Sequence, residues 1–444
     1  MDSSNPPFRH NSAARGLLAL SPMAVFLLLY VAVSVIIGDF YKMPISVALV
    51  VASMWAMVVF RDEPLYERIE TFSRAAGHSN ILYMIWVFVL AGAFAAIAKE
   101  IGAVDATVNL TLRVFPPDFV VPTLFMAACF ISLSVGTSVG TVVALTPLAV
   151  ELAVMSEGNV AFYVAVVLGG AFFGDNLSFI SDTTIAATRS QGCGMADKFK
   201  ANLWIALPAA VATLAAYIVM SSGSQPIVME QNSDSWLILP YLVVIVTAII
   251  GINVTVVLTL GIATALVLGA CNGFSLIDMA RFGGDGIAGM GDLIVITLLA
   301  SGMLGIIKAA GGIDYLLQCL TAHISGKRGA QAVLAFLVGA VNLCTANNTV
   351  AIITVGGISR DIAHRYGIDP RKSASLLDSA SCVVQCLIPY GAQTLLATSL
   401  AGISPAAPFP YLYYPWALAA MIALSIIFLF PGRLNRHAAA AGRL

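Results

Sequence analysis

What this chain has least of is charge. Only 10% of its 444 residues are Asp, Glu, Lys or Arg, against roughly 25% in a soluble globular protein. So few charges could not cover a water-exposed surface, which excludes a soluble enzyme and a disordered chain. Neither sign is in surplus: 22 Lys and Arg stand against 23 Asp and Glu. There is therefore no basic stripe for nucleic acid. The seven cysteines are odd in number and include no Cys-x-x-Cys pair, which argues against a disulfide framework. Cys382 and Cys386, four apart on one helical face, read as packing rather than as a redox pair. His10, His78, His323, His364 and His437 all fall in tails or polar connections, so neither an intramembrane histidine metal site nor a cofactor is expected.

What is abundant is apolar length. Hydrophobic residues make up 59% of the chain. They gather in runs of about 17–22 residues, enough to cross a ~30 Å hydrocarbon core as helices. The runs do not alternate every second residue, as an outer-membrane barrel would. The fold class is an all-α polytopic membrane protein. The first run, 17–38, follows Arg9 and Arg15 and lacks a small-residue cleavage site, so it reads as a retained helix. Further runs lie at 43–60, 81–99, 202–220, 236–251, 253–270, 293–309 and 411–430.

Four segments do not fit one simple span. Two, 119–155 and 329–358, are apolar limbs joined by small polar tips, Ser134-Val-Gly-Thr-Ser-Val-Gly-Thr141 and Asn342-Leu-Cys-Thr-Ala-Asn-Asn-Thr349. At 1.5 Å per residue the limbs should run roughly 14–24 Å, short of a crossing. They are either re-entrant hairpins or overlong helices, and charge separates the two. If both turn back, the chain crosses ten times with both termini cytoplasmic. Only Lys42, Lys99, Arg113 and Arg281 of the 22 basic residues then lie outside, a split of 18 to 4. If both span, the split is 13 to 9. The positive-inside rule selects the hairpins, in a cytoplasmic (inner) membrane.

The halves, 1–222 and 223–444, repeat at an offset of about 209. Pro44-Ile-Ser-Val-Ala-Leu matches Asn253-Val-Thr-Val-Val-Leu, and Gly92 falls on Gly302. Thr137 and Thr141 fall on Thr345 and Thr349, and Thr184 falls on Thr394. Each half has five crossings and a hairpin, an odd number of crossings, so the repeat should be inverted. Inverted repeats with discontinuous helices are a transporter architecture with its site near the midplane. The two remaining long segments, 160–190 and 371–401, should be those helices. Gly174 and a cluster of acceptors suggest unwinding in the first, and Pro389-Tyr-Gly391 breaks the second.

Asp175 lies about 22 Å of rise into the first broken helix, near mid-membrane. Asn176, Ser178, Ser181, Asp182 and Thr183 follow it. These are hard oxygen ligands for an alkali cation, and a buried carboxylate can trade a proton for one. At an offset of 210, Asp175 falls on Gln385 and Asp182 on Ala392, so one charged centre in the first half is expected. Gln385 and Gln393 could ligate or could cap helix ends. Asp378 could be an inner relay, or an acid paired with Arg371 or Lys372. At the tips, Thr137, Ser138, Thr141, Thr345, Asn347, Asn348 and Thr349 could converge on substrate or simply allow tight turns. Lys99 and Lys308 read as snorkelling anchors.

Gly174-Asp-Asn-Leu-Ser-Phe-Ile-Ser-Asp-Thr-Thr184 closely resembles the signature of NhaC-type sodium/proton antiporters, of the ion transporter superfamily. Leu377-Asp-Ser379 and Leu387-Ile-Pro389 resemble the second-half motif, and the likeness covers nearly the whole chain. It departs at Phe179, where the family commonly has proline, and at Leu377, where it often has an acid. The resemblance implies exchange of sodium for protons, the transported ions being the only small molecules required. Some relatives instead couple ions to organic or amino acids, and a sodium-coupled carrier of a small organic anion or amino acid is the alternative. The expected partners are the bilayer, small inorganic cations and, as an option, a second copy in a homodimer; nucleic acid is not among them. Gly289-Met-Gly-Asp292 fits an intramembrane aspartyl protease pattern. The preceding helix offers no second aspartate at depth, so an enzyme is not expected.

Overall fold

The computed structural model describes residues 13–37, 44–114, 119–178, 181–221, 235–250, 252–321 and 324–431. Phe179, His10, His323, His437 and most of the connector between the halves lie outside them. The first half opens with α1 (Ala13–Ile37), α2 (Ile45–Val59), the short α3 (Leu65–Ala76), α4 (Ser79–Glu100) and α5 (Ala103–Val114). A helical hairpin follows, α6 (Val120–Val135) and α7 (Ser138–Met155). Next come the two pieces of a broken helix, α8 (Val160–Leu177) and α9 (Asp182–Gln191), and then α10 (Met195–Ser221). The second half runs through α11 (Leu239–Ile249), α12 (Val254–Cys271), α13 (Leu276–Gly289), α14 (Gly291–Ala309) and α15 (Gly312–Thr321). It closes with the hairpin α16 (Gly326–Thr345) and α17 (Asn348–Arg365), the broken helix α18 (Pro370–Leu387) and α19 (Ala392–Ala401), and α20 (Tyr413–Ile427).

Nine helical stretches among the described residues are long and apolar enough to cross a membrane, and four shorter apolar helices accompany them. The runs expected at 43–60, 236–251 and 411–430 fall in the shorter class, as α2, α11 and α20. Large apolar side chains point outward: Ile36 is 82% exposed and Phe336 71%. The polar side chains of Lys198, Asn202, Gln331 and Asp378 are buried. That inversion of the water-soluble pattern is what a hydrocarbon solvent selects.

Between the expected runs the chain forms four further helices, α3, α5, α13 and α15. α3 packs on α14, and α13 packs on α4. Gly302 and Gly92 permit these approaches. A Cβ at Gly302 would lie 2.4 Å from the Phe72 ring, and one at Gly92 would lie 2.4 Å from the Gly286 carbonyl oxygen.

The hairpin limbs are longer than expected, 16 to 20 residues, or about 24–30 Å. They outrun the apolar stretch: α16 starts at Gly326-Lys327-Arg328 and α17 ends in His364-Arg365. The recurrence of elements also corrects the register. α7, α8 and α9 recur as α17, α18 and α19 with every end shifted by 210 residues. Thr137 therefore corresponds to Asn347, both at the N-terminal cap of a hairpin limb, rather than to Thr345. α8 packs between α6 and α7, α18 packs between α16 and α17, and α8 meets α18. Nearly every residue of α8 and most of α18 are buried, so both breaks lie inside the protein.

Candidate functional site at the two helix breaks

The first helix does not unwind at Gly174. α8 runs through it to Leu177. Gly174 serves close packing instead, since a Cβ there would stand 2.2 Å from the Ser132 Cβ on α6. α8 gives way at Ser178, whose backbone is extended, and α9 begins after Ser181, which caps it by accepting from the Thr184 N–H at 3.2 Å. Three carbonyls beside the break find side-chain donors, as buried backbone requires. Ser181 Oγ donates to the Asp175 carbonyl at 3.0 Å and Thr184 Oγ1 to that of Ser178 at 2.8 Å. Lys198 Nζ and Asn202 Nδ2 both donate to the Asn176 carbonyl, at 2.8 and 2.7 Å. The second break, at 388–391, holds Pro389 as expected.

Asp175 is 5% exposed. Its carboxylate accepts from the Ser138 backbone N–H at 3.1 Å and from Ser138 Oγ at 2.5 Å. Ser138 opens α7, so the acid sits on a helix N-terminus, where exposed N–H groups and the dipole favour an anion. Ser138 Oγ in turn accepts from Gln393 Nε2 at 3.0 Å. Gln385 Nε2 donates to Gln393 Oε1 at 3.0 Å and to the Ala346 carbonyl at 2.9 Å. One hydrogen-bonded chain thus joins the first tip, both breaks and the second tip. Two buried acceptor oxygens beside it, Gln385 Oε1 and Asp378 Oδ1, have no hydrogen-bond partner among the described residues. Free lone pairs of that kind suit a hard monovalent cation. No group of three or more His, Cys, Asp or Glu suited to a resident metal occurs among the described residues.

The other expected residues divide. Asn176 is buried and donates to Tyr414 OH at 3.3 Å. Ser178, Ser181 and Thr183 are buried at the break, Thr183 Oγ1 lying 3.1 Å from Ser181 Oγ. Asp182 is exposed in the first turn of α9. Asn347 caps α17 through the Val350 N–H at 3.0 Å. Asn348 is buried near Cys382, and Thr345 donates to the Asn347 carbonyl at 3.0 Å. Thr137 and Thr349 are half-buried, and Thr141 is buried with its hydroxyl on the Thr137 carbonyl.

Asp378 pairs with neither of its expected partners. Arg371 bonds Asp369 at 2.7 Å, and Lys372 bonds Ser425 and the Phe430 carbonyl. Asp378 instead forms a buried ion pair of 2.5 Å with Lys198. Asn202 Nδ2 adds a bond of 3.0 Å to the same carboxylate oxygen, while Asn202 Oδ1 accepts from Ser375 and Ser379. Lys198 and Asn202 were not legible as site residues. The one available signal was their spacing of four, which puts both on one face of α10.

A sequence model of the Na+/H+ antiporter family matches twice, over residues 11–223 and 199–433. The chain belongs to that family. It is 25% identical to "Na(+)/H(+) antiporter NhaC" of Alkalihalophilus pseudofirmus over 74% of this chain and 78% of the relative. It is 25% identical to "Malate-2H(+)/Na(+)-lactate antiporter" of Bacillus subtilis over 93% of each. The YdaH transporter of Alcanivorax borkumensis superposes with a TM-score of 0.42 at 15% identity, over 94% of this chain and 99% of that one. The antiporter is a multi-pass membrane protein that exchanges sodium for protons, a transporter rather than an enzyme.

Proposed function

We propose that Na+ and H+ compete for Asp175 and that the site is exposed to each side of a cytoplasmic membrane in turn. One observation carries this reading. The buried Asp175 stands near the middle of the 32-residue stretch Val160–Gln191, at a helix break, with its carboxylate on the tip of a hairpin. A carboxylate so placed needs a cation or a proton, and one carboxylate cannot favour both at once. The tip at that depth supports two re-entrant hairpins. The register of 210 residues and the two family matches support an inverted repeat of 1–222 on 223–444. With Lys198 and Lys372 buried, the basic residues still divide 16 to 4, which supports ten crossings with both termini cytoplasmic.

Packing is unequal between the halves, which supports alternation. α19 packs on α4 and α14, and α7 packs on α4. No comparable packing joins their counterparts α9 and α17 to α14 or α4 among the described residues. Correspondingly Asp182 is exposed, whereas Ala392, 210 residues on, is buried. The tighter packing around α19 than around α9 supports a conformer shut on the outer side, and exchanging the two packings would give the opposite state.

The experiment is Na+-driven proton flux in proteoliposomes across a pH series. Asp175→Asn keeps size and one oxygen but removes the titratable charge, so the variant should insert yet lose coupled exchange. In the unaltered protein, apparent Na+ affinity should weaken as pH falls. Coupled exchange retained by Asp175→Asn refutes the assignment. The malate–lactate relative favours a second reading, sodium-coupled exchange of organic anions. Against it, the buried ammonium at the break has all three N–H groups engaged, by Asn176, Thr184 and Asp378. No free positive charge is left there for a carboxylate. Labelled malate or lactate uptake driven by a sodium gradient would reverse that preference.

A further inference from the structure

The exchange centre contains three charged groups, yet one cation or proton is asked to balance it. Asp175 is held on Ser138, and beside it lies the Lys198–Asp378 pair. Lys198 is on α10, directly after the first broken helix, and Asp378 is on α18 of the other half. The ammonium touches three separate helices: the end of α8 through the Asn176 carbonyl, the start of α9 through Thr184 Oγ1, and α18 through Asp378 Oδ2. Its three N–H groups have three acceptors, and both side chains are buried. The residue 210 positions before Asp378 is Leu168, so this charge has no counterpart in the repeat.

We propose that Lys198 is the fixed counter-cation of Asp378, which leaves the exchange centre a single variable charge, on Asp175. This rests on the reading of Asp175 given above. An unpaired buried carboxylate would draw in a second proton or Na+, because a lone charge in a low-dielectric site is expensive. Lys198 supplies that charge from the chain itself. Asp378 keeps Oδ1 free as an oxygen ligand while its charge is already balanced. Lys198 is therefore a positioning residue that sets how many ions the centre takes per cycle.

The groups that feel the pair are few. Asp175 on α8, Cys382 on α18 itself, Tyr414 on α20 and Cys193 just before α10 are electrostatically coupled to it. Asp182 on α9 is coupled to Asp175. From α16 and α17, the neutral amides of Asn342 and Asn348 face α18.

The test compares Lys198→Gln, Asp378→Asn and the double variant by Na+-driven proton flux across a pH series, each checked for monodispersity in detergent. Lys198→Gln leaves a second anion beside Asp175. The pH midpoint of apparent Na+ affinity should rise by about one unit, because a neighbouring negative charge makes a carboxylate hold its proton harder. Asp378→Asn leaves a lone ammonium, so the midpoint should fall by about one unit and Na+ affinity should drop. In the double variant the shifts should cancel and exchange should return to within a few-fold of the unaltered protein. A merely structural pair would not move the two midpoints in opposite directions. Shifts of the same sign, no shift, or a double variant as impaired as either single overturns the proposal. If the single variants misfold, calorimetric titration of the unaltered protein with Na+ in two buffers decides. About one proton released per Na+ bound supports a single variable charge, and two overturn it. Proton release that persists in Asp175→Asn would refute Asp175 as the exchange carboxylate while leaving the pairing intact.

Discussion

Ala346 is the most strained residue of the site. At the tip of the second hairpin its φ is +48°, the left-handed region, which costs a residue with a Cβ about 1 kcal/mol. The equivalent tip position in the first half is Gly136, at φ +72°, where the cost vanishes. Gln385 holds Ala346 in place by donating to its carbonyl. Ala346→Gly, usually a destabilising exchange, should therefore stabilise the protein by up to about 1 kcal/mol, read as a raised melting temperature in detergent. Gln385→Ala should lower stability and slow exchange, yet less than Asp175→Asn does, because no proton carrier is lost. At this scale the sequence was informative wherever polarity broke an apolar run. Asp175 stood out for that reason. Lys198 did not, because it follows the polar stretch Gly192-Cys193-Gly194-Met195-Ala196-Asp197 and has the look of a cytoplasmic flank.

Helices α6 and α8 approach closely because Gly174 offers no side chain where Ser132 lies. Asp175 is the next residue, so the separation of these helices sets where the carboxylate meets the hairpin tip. Gly174→Ala would place a Cβ within 2.5 Å of the Leu133 backbone nitrogen, an obstruction no rotamer relieves. It should cost about 1–3 kcal/mol and reduce exchange. Gly284→Ala on α13 is the control, since nothing lies within 4 Å of its Cβ. There the better helix former should be neutral or slightly stabilising. Thermal unfolding of the two variants, followed by size-exclusion fluorescence, separates these outcomes. The breaks themselves were legible to different degrees. Pro389 interrupts α18 for a reason written in its ring. In the first half the glycine suggested unwinding, but the chain stays helical through it and opens after Ser178, where Ser181 and Thr184 cap the fragments.

Across the whole molecule, the hairpins fix which ends share a side. Glu157 follows the first hairpin, whereas Ser325 and Arg365 flank the second; all three are exposed. With two re-entrant hairpins, cysteines at Ser325 and Arg365 should be protected from an impermeant thiol reagent in intact cells, and one at Glu157 should react. The background must first be freed of Cys271 and Cys319, which are exposed. A segment that crossed once, as one overlong helix, would instead place Ser325 and Arg365 on opposite sides, so reaction at one alone would reject re-entry.

The sequence by itself determined the solvent and the helical class, and it marked Asp175 as a polar interruption of an apolar run. Each of these is a local or compositional property: apolar run length, scarcity of charge, and an ionisable group in an apolar stretch. Tertiary structure alone decided who pairs with whom. Asp378 chose Lys198 over Arg371 and Lys372, its neighbours in sequence, because α10 and α18 cross at the break and bring an ammonium to 2.5 Å. Asp175 met Ser138, 37 residues away, because α7 begins where α8 opens. Charges buried without water must find partners within hydrogen-bond reach, and reach is set by helix crossings that no single stretch of sequence encodes.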